Sequence, residues 1–296
     1  MILGLSACEV AEPGWEEESV PHPAVFAPGV ISTGLREYGI AFTPDGTEAY
    51  FTRRGGRGPS QILTSRFLGG QWTEPEVAPF ALDRDEGPFI TTDGRRMLFS
   101  SRRAASGSGD RSDNIWTVER GTDGWEEPRP LPGVVNQPQS GDEDFQSGAE
   151  LGPIELPDGS LLYWTRVDPE WGSDLYVADR VEGEGYMSPR PLRISSYGDE
   201  TNPAISPDGR FLVFQGYRDG NAHGEQDLYV SERTEYGWSD PWLLPEPINS
   251  PSNEGYPSFS PSGKHFFFAS DRGGRGGFYD IYYVDYSALN LGAGER

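Results

Sequence analysis

The sequence predicts an all-β domain, a five-bladed β-propeller of four-stranded antiparallel blades whose last blade is closed by the N-terminal strand. Three observations predict it. One turn motif returns five times, an apolar run follows each copy, and the chain is rich in turn formers, with Gly 39, Pro 26 and 12% aromatics in 296 residues. Short aromatic runs bounded by Gly and Pro read as strands joined by turns. All-β domains of this length are common as single units.

The repeat is Phe42-Thr43-Pro44-Asp45-Gly46, Ile90-Thr91-Thr92-Asp93-Gly94, Glu155-Leu156-Pro157-Asp158-Gly159, Ile205-Ser206-Pro207-Asp208-Gly209 and Phe259-Ser260-Pro261-Ser262-Gly263. Asp-Gly between apolar runs is a strong hairpin signal, because Gly tolerates the positive φ that such turns need. Each copy therefore joins a first strand to a second. The second strands hold Ala49-Tyr50-Phe51, Met97-Leu98-Phe99, Leu161-Leu162-Tyr163-Trp164, Phe211-Leu212-Val213-Phe214 and Phe266-Phe267-Phe268. Apolar residues at successive positions mean a strand covered on both faces, as between stacked blades.

Third strands begin at Gln61-Ile62-Leu63, Asn114-Ile115-Trp116, Asp174-Leu175-Tyr176, Asp227-Leu228-Tyr229 and Asp280-Ile281-Tyr282. A fourth strand pairs an aromatic with a proline three residues on, at Trp72/Pro75, Trp125/Pro128, Tyr186/Pro189 and Trp238/Pro241. Proline donates no ladder hydrogen bond, so this strand belongs at a blade's outer edge. The fifth copy lacks a fourth strand, and the stretch from Pro23 to Ser32 aligns with Pro241 to Ser250. The N-terminal segment is thus expected to close the ring as the last blade's outer strand, which removes two exposed edges. The expected blades span 35–82, 83–137, 145–195, 197–250 and 251–286 with 22–33, inside a propeller of residues 22–290.

The motifs Ser206-Pro207-Asp208-Gly209, Phe259-Ser260-Pro261 and Phe268-Ala269-Ser270-Asp271-Arg272-Gly273-Gly274 leading into Asp280-Ile281-Tyr282 resemble the TolB-like, WD-like propeller repeat family. The resemblance covers roughly residues 20 to 286. It implies the propeller fold, export in bacteria, and binding of other envelope proteins. TolB itself has six such blades and a small extra domain, where five repeats are counted here.

A net charge of −23 argues against nucleic acid, which needs Lys and Arg. It argues equally against direct adsorption to anionic lipid. The single cysteine, Cys8, excludes an internal disulfide. Leu5-Ser6-Ala7-Cys8 is similar to a bacterial lipobox, and Cys8 is then the lipidated residue. Only seven residues precede it, so the natural start is expected upstream. Residues 1–21 read as a signal remnant and mobile linker. The localisation expected is exported, periplasmic or outer-membrane lipoprotein, with membrane contact only through Cys8 and a monomeric disc.

An acid stands eight residues before each turn aspartate or its Ser262 equivalent: Glu37, Asp85, Glu150, Glu200 and Glu254. First strands line a propeller's channel, so these acids are expected to ring one mouth. At a spacing of ~7 Å and an effective dielectric of about 20, each adjacent pair would cost roughly 2 kcal/mol, so the ring needs cations. Arginines after the second strands supply them, with Arg54, Arg102, Arg166, Arg218 and Arg272 as partners. The acids then staple the blades, or some stay free to bind a ligand or a Ca²⁺ ion, which takes six to eight oxygens. No other cofactor is expected.

For catalysis, residues must break the repeat. A glycan-active enzyme needs two carboxylates flanking the sugar bond. Asp142, Glu143 and Asp144, in an insertion before copy three, and Asp168 and Glu170 are the candidates. Trp116, Trp164, Trp171, Tyr217, Tyr256 and Phe278 are candidate stacking rings. No His cluster, nucleophile elbow or P-loop occurs. The preferred function is a non-enzymatic module that recognises a protein or glycan of the cell envelope. A glycan-active enzyme and a Ca²⁺-dependent sensor are the alternatives.

Overall fold

The computed structural model describes residues 14–103, 113–132, 134–136, 149–168, 172–183, 185–194, 196, 198–218, 226–274 and 278–291. They form five antiparallel sheets, each a blade whose first three strands follow in sequence order. Blade 1 runs Arg36–Phe42, Glu48–Arg54, Ser60–Leu68; blade 2 Asp85–Ile90, Arg96–Ser101, Asn114–Gly121; blade 3 Glu150–Glu155, Leu161–Asp168, Gly172–Val181. Blade 4 runs Asp199–Ile205, Phe211–Tyr217, Asp227–Thr234, and blade 5 Glu254–Phe259, His265–Ser270, Asp280–Asp285.

The repeated turns are built alike. In blade 1 the Thr43 hydroxyl donates to Asp45 at 2.6 Å, Gly46 N donates to the Thr43 carbonyl, and Gly46 adopts φ 66°. The Asp side chain thus locks a turn whose last residue must be left-handed, which favours Gly. The outer strand is interrupted near its proline. Gln71–Trp72 and Glu76–Val77 pair separately with the third strand of blade 1.

Closure is as expected. Ala24 and Val25 pair antiparallel with Tyr283 and Tyr282, and Phe26 N donates to the Ile281 carbonyl at 2.8 Å. The packed region starts earlier than His22, however. Gly14–Glu17 form a short 3₁₀ turn, Trp15 is buried, and its indole N–H donates to the Gly46 carbonyl at 3.0 Å. Val20 and Asp285 exchange hydrogen bonds across the same seam. The acidic composition of this stretch hid one tryptophan able to bury a large apolar surface.

The core lies between blades. Five apolar clusters each join neighbouring blades, and the one at the closure holds Trp15, Phe26 and Ile31 against Phe42, Phe51 and Phe267. Second strands are covered on both sides; His265–Ser270 is buried at every position.

Candidate functional site

Two faces must be distinguished. The hairpin face carries the repeated turns, and the mouth face carries the starts of the first strands. The five repeated acids sit at the mouth end but are buried, and none lines the axial cavity. They clamp loops. Glu37 accepts from the Thr33 N–H at 3.2 Å and hydroxyl at 2.6 Å; Glu200 does the same with Ser196 and Glu254 with Ser250. Asp85 accepts from Leu82 N at 2.7 Å.

The arginine partners differ from the expected set in three blades. Glu37 pairs with Arg53 at 2.9 Å, not Arg54, and Asp85 pairs with Arg103, not Arg102. Arg102 instead forks onto Asp113 at 2.6 and 2.7 Å. Glu200 and Glu254 do pair with Arg218 and Arg272, at 3.0 and 3.1 Å. Arg166 is exposed and makes no ion pair with the buried Glu150. Each pairing arginine also holds a carbonyl of the loop entering its blade, as Arg53 holds Val30 at 2.8 Å and Arg103 holds Phe80 at 2.6 Å. Acid and arginine together tie that loop to the blade. Desolvation raises the pKa of Glu37, Glu200 and Glu254 above the usual carboxylate value, against the hydroxyl and arginine contacts that lower it.

The residues that reach the axis stand two positions after each acid. Gly39, Gly87, Gly152, Asn202 and Tyr256 all have left-handed backbones, with φ of 59°, 62°, 58°, 48° and 52°, each in a bulge of the first strand. The strands nearly touch there: a Cβ on Gly39 would lie 3.5 Å from the Gly87 Cα. On the hairpin side of this constriction opens an apolar funnel of about 520 Å³, walled by Ala41, Pro88, Ile154, Pro203 and Phe259. The sequence carried a signal for the ring, since a proline follows four of the five bulge residues, at Pro88, Pro153, Pro203 and Pro257. A strand edge facing a channel can do without that N–H.

On the mouth side the fivefold pattern breaks. Tyr256 packs on Tyr38 with ring centres 4.4 Å apart and planes inclined by 39°, and the Tyr38 hydroxyl donates to Glu86 at 2.8 Å. Glu86 is half-buried and, among the described residues, has no ion pair. Desolvation raises its pKa, the Tyr38 hydrogen bond opposes this, and the Asp113 charge adds to it. Burial likewise raises the phenols of Tyr38 and Tyr256. Across the axis the Trp164 indole donates to Asn202 at 3.2 Å, Asn202 to Gln215 at 2.9 Å, and Gln215 to Gln226 at 2.6 Å. Leu35, Leu82, Tyr217 and Phe278 are exposed at the same blade ends.

Of the other candidates, Trp116 is buried and its ring lies under Arg103, so it is packing. Cys8, Asp142, Glu143, Asp144, Glu170 and Trp171 lie outside the described residues, as does the side chain of Asp168. Among the described residues no three His, Cys, Asp or Glu side chains cluster as metal ligands. Glu37, Asp85, Glu200 and Glu254 have hydroxyl, amide or arginine donors in place, and Glu150 is not without a partner either. Chelator-treated protein is therefore expected to give no heat with Ca²⁺ in isothermal titration; a saturable heat would show that an acid is free to bind the ion.

No protein-family model matches the sequence, and no curated protein does. Solved structures do. TolB from Acinetobacter baumannii aligns with TM-score 0.50 at 17% identity, over 84% of this chain and 54% of that one. A protein taken to be TolB in Agrobacterium tumefaciens aligns with TM-score 0.53 at 20% identity, over 86% of this chain and 79% of that one. A thermostable family-43 glycoside hydrolase aligns with TM-score 0.51 at 12% identity, over 85% and 88%. This chain thus spans about half of the first of these proteins. The likeness at these identities is one of fold, and the fold is the TolB-like propeller.

Proposed function

We propose that this TolB-like propeller is a non-enzymatic binding module of the bacterial cell envelope that recognises a protein or glycan through its mouth face. The observation that carries the reading is Tyr256. A bulky side chain in the left-handed region costs about 1 to 2 kcal/mol, and Gly holds the equivalent position in three other blades. Such strain is a pointer to function. Leu35, Leu82, Tyr217 and Phe278 surround this mouth and leave apolar surface open to a partner.

Binding is favoured over catalysis by the state of the Glu86 and Asp113 carboxylates. A glycosidase needs one carboxylic acid and one free carboxylate. Here Asp113 is held by both arms of Arg102, so of these two only Glu86 is without an ion pair among the described residues. Export and lipidation at Cys8 rest on the lipobox-like Leu5-Ser6-Ala7-Cys8. Trp15 is bonded to the hairpin turn of blade 1, so a tether leading to Gly14 attaches at the hairpin face. The mouth then points away from the anchored side.

The test uses the full chain with a C-terminal tag and an envelope extract. The wild type is expected to retain a component that the Tyr256→Gly/Glu86→Gln double variant loses. Tyr256→Gly also relieves the backbone, so the variant should fold. Equal retention by both proteins, or none by the wild type, would remove the mouth as the binding site.

A further inference from the structure

We infer that the mouth takes a protonated primary amine at the end of an alkyl chain, with the ammonium on Glu86 and the chain along Tyr256. This rests on the reading of the mouth given above and adds the chemistry of what it binds.

Among the described residues, Glu86 makes no ion pair. Its donors are neutral, the Tyr38 hydroxyl at 2.8 Å and the Ser60 hydroxyl. The nearby Arg102 is already spent on Asp113, through two bonds of 2.6 and 2.7 Å. A desolvated charge with only neutral partners gains more from an incoming cation than one already paired. The repeated acids show the contrast, since Glu37, Asp85, Glu200 and Glu254 each hold an arginine. At the position of Glu86 the other blades carry Tyr38, Leu151, Thr201 and Gly255. The acid is therefore a feature of one blade and not of the repeat.

The form of the cation follows from the geometry. Tyr38 occupies Oε2 of Glu86, which hinders the two parallel bonds a guanidinium prefers. An ammonium is a point donor and needs one oxygen. A divalent metal needs several oxygens, and no such cluster exists among the described residues. The partly exposed ring of Tyr256, packed on the buried Tyr38 beside Glu86, supplies an aromatic surface that favours a cation and its alkyl stem.

The entrance sets the other end of the ligand. Arg36 and Arg54 are opposite one another at the end of blade 1, two residues before Tyr38 along the first strand. That is about 7 Å further out at the usual strand rise. Like charges directly opposite repel. A carboxylate at the far end of the ligand's chain meets the exposed Arg54 there, whereas a second ammonium is repelled by it. The net charge of −23 favours approach of the zwitterion with its ammonium end first.

The probe is 6-aminohexanoate, titrated calorimetrically into the full chain. Saturable binding is expected, with hexanoate and tetramethylammonium at least tenfold weaker. Glu86→Gln should weaken the amine at least tenfold while raising the Tm at pH 7. The sign follows from the raised pKa of Glu86. Its neutral form stabilises the fold below the ordinary carboxylate value of 4.5, and that contribution is lost as pH rises through the folded value. Gln keeps the neutral form at every pH. Amine affinity should run the other way and fade as acid protonates Glu86. The groups facing it are Tyr38, Ser60, Asp113, Arg102 and Tyr256. Hexanoate binding as tightly as the amine, no amine binding, or unchanged binding by Glu86→Gln each overturns the inference. If the amine fails while the mouth variant still loses its envelope component, the binding function stands and only its chemistry is wrong.

Discussion

A chain that begins at Arg36 is expected to lose cooperative unfolding. Removing the first 35 residues takes away Ala24 and Val25 from the edge of blade 5, and with them their pairing to Tyr283 and Tyr282. It removes Ser32, which donates to the Ile281 carbonyl at 3.2 Å and accepts from Ile281 N at 3.1 Å. It removes Thr33, which satisfies Glu37, and the Val30 and Ile31 carbonyls that satisfy Arg53. A buried acid and arginine are left with fewer donors and acceptors, each a costly loss.

The largest single loss is apolar. Trp15 stacks on Phe42 at 5.0 Å and meets Phe26, Trp72 and Phe267 within 6.1 Å. Deleting such a side chain alone costs about 3 to 5 kcal/mol, against a typical total of about 5 to 15 kcal/mol. Trp15→Ala should therefore lower the Tm markedly while leaving one transition. The truncated chain should melt broadly and with reduced calorimetric enthalpy. A single sharp transition like that of the full chain would mean that the ring does not depend on its N-terminal closure.

Glu254→Ala is expected to be the most damaging single change among the ring acids. Glu254 accepts from Ser250 N at 2.9 Å and from the hydroxyls of Ser250 and Ser270, both at 2.7 Å, and it pairs with Arg272 at 3.1 Å. Arg272 lies over Phe268 and Tyr282 and holds the Pro247 and Ile248 carbonyls. Its guanidinium would remain largely buried with no counter-charge. Breaking a buried pair from one side costs about 3 to 5 kcal/mol. Arg54→Ala removes an exposed arginine whose hydrogen bond is to the Gly58 carbonyl, and should stay within about 0.5 kcal/mol. Denaturant titration of the two variants separates the cases. Similar midpoints for both would mean that the acid column contributes nothing to the fold.

The acid column was legible because it repeats at fixed distance from a turn that also repeats. Its direction was not. Adjacent strand residues point to opposite faces, so Arg53 and Arg54 are equivalent as composition and opposite as geometry. The left-handed bulge two residues after each acid then decides what meets the axis. For Gly39, Gly87 and Gly152 the residue type hints at this, but Tyr256 gives no such hint. Its conformation is held by the Tyr38 ring, contributed by the neighbouring blade. Glu86 carries no sequence signal for a related reason: beside Asp85 it reads as one more surface acid, and its lack of an ion pair among the described residues depends on Arg102 turning to Asp113.

The amino-acid sequence by itself determined the blades, their order, their number and the strand that closes them. These depend on turn chemistry and on runs of apolar residues, which act over a few neighbours along the chain. Only the tertiary structure decided which arginine meets which acid, that the acids are buried, and that Tyr38, Glu86 and Tyr256 share one mouth. Those contacts join segments from different blades, and their geometry is set by how closely the five first strands approach the common axis.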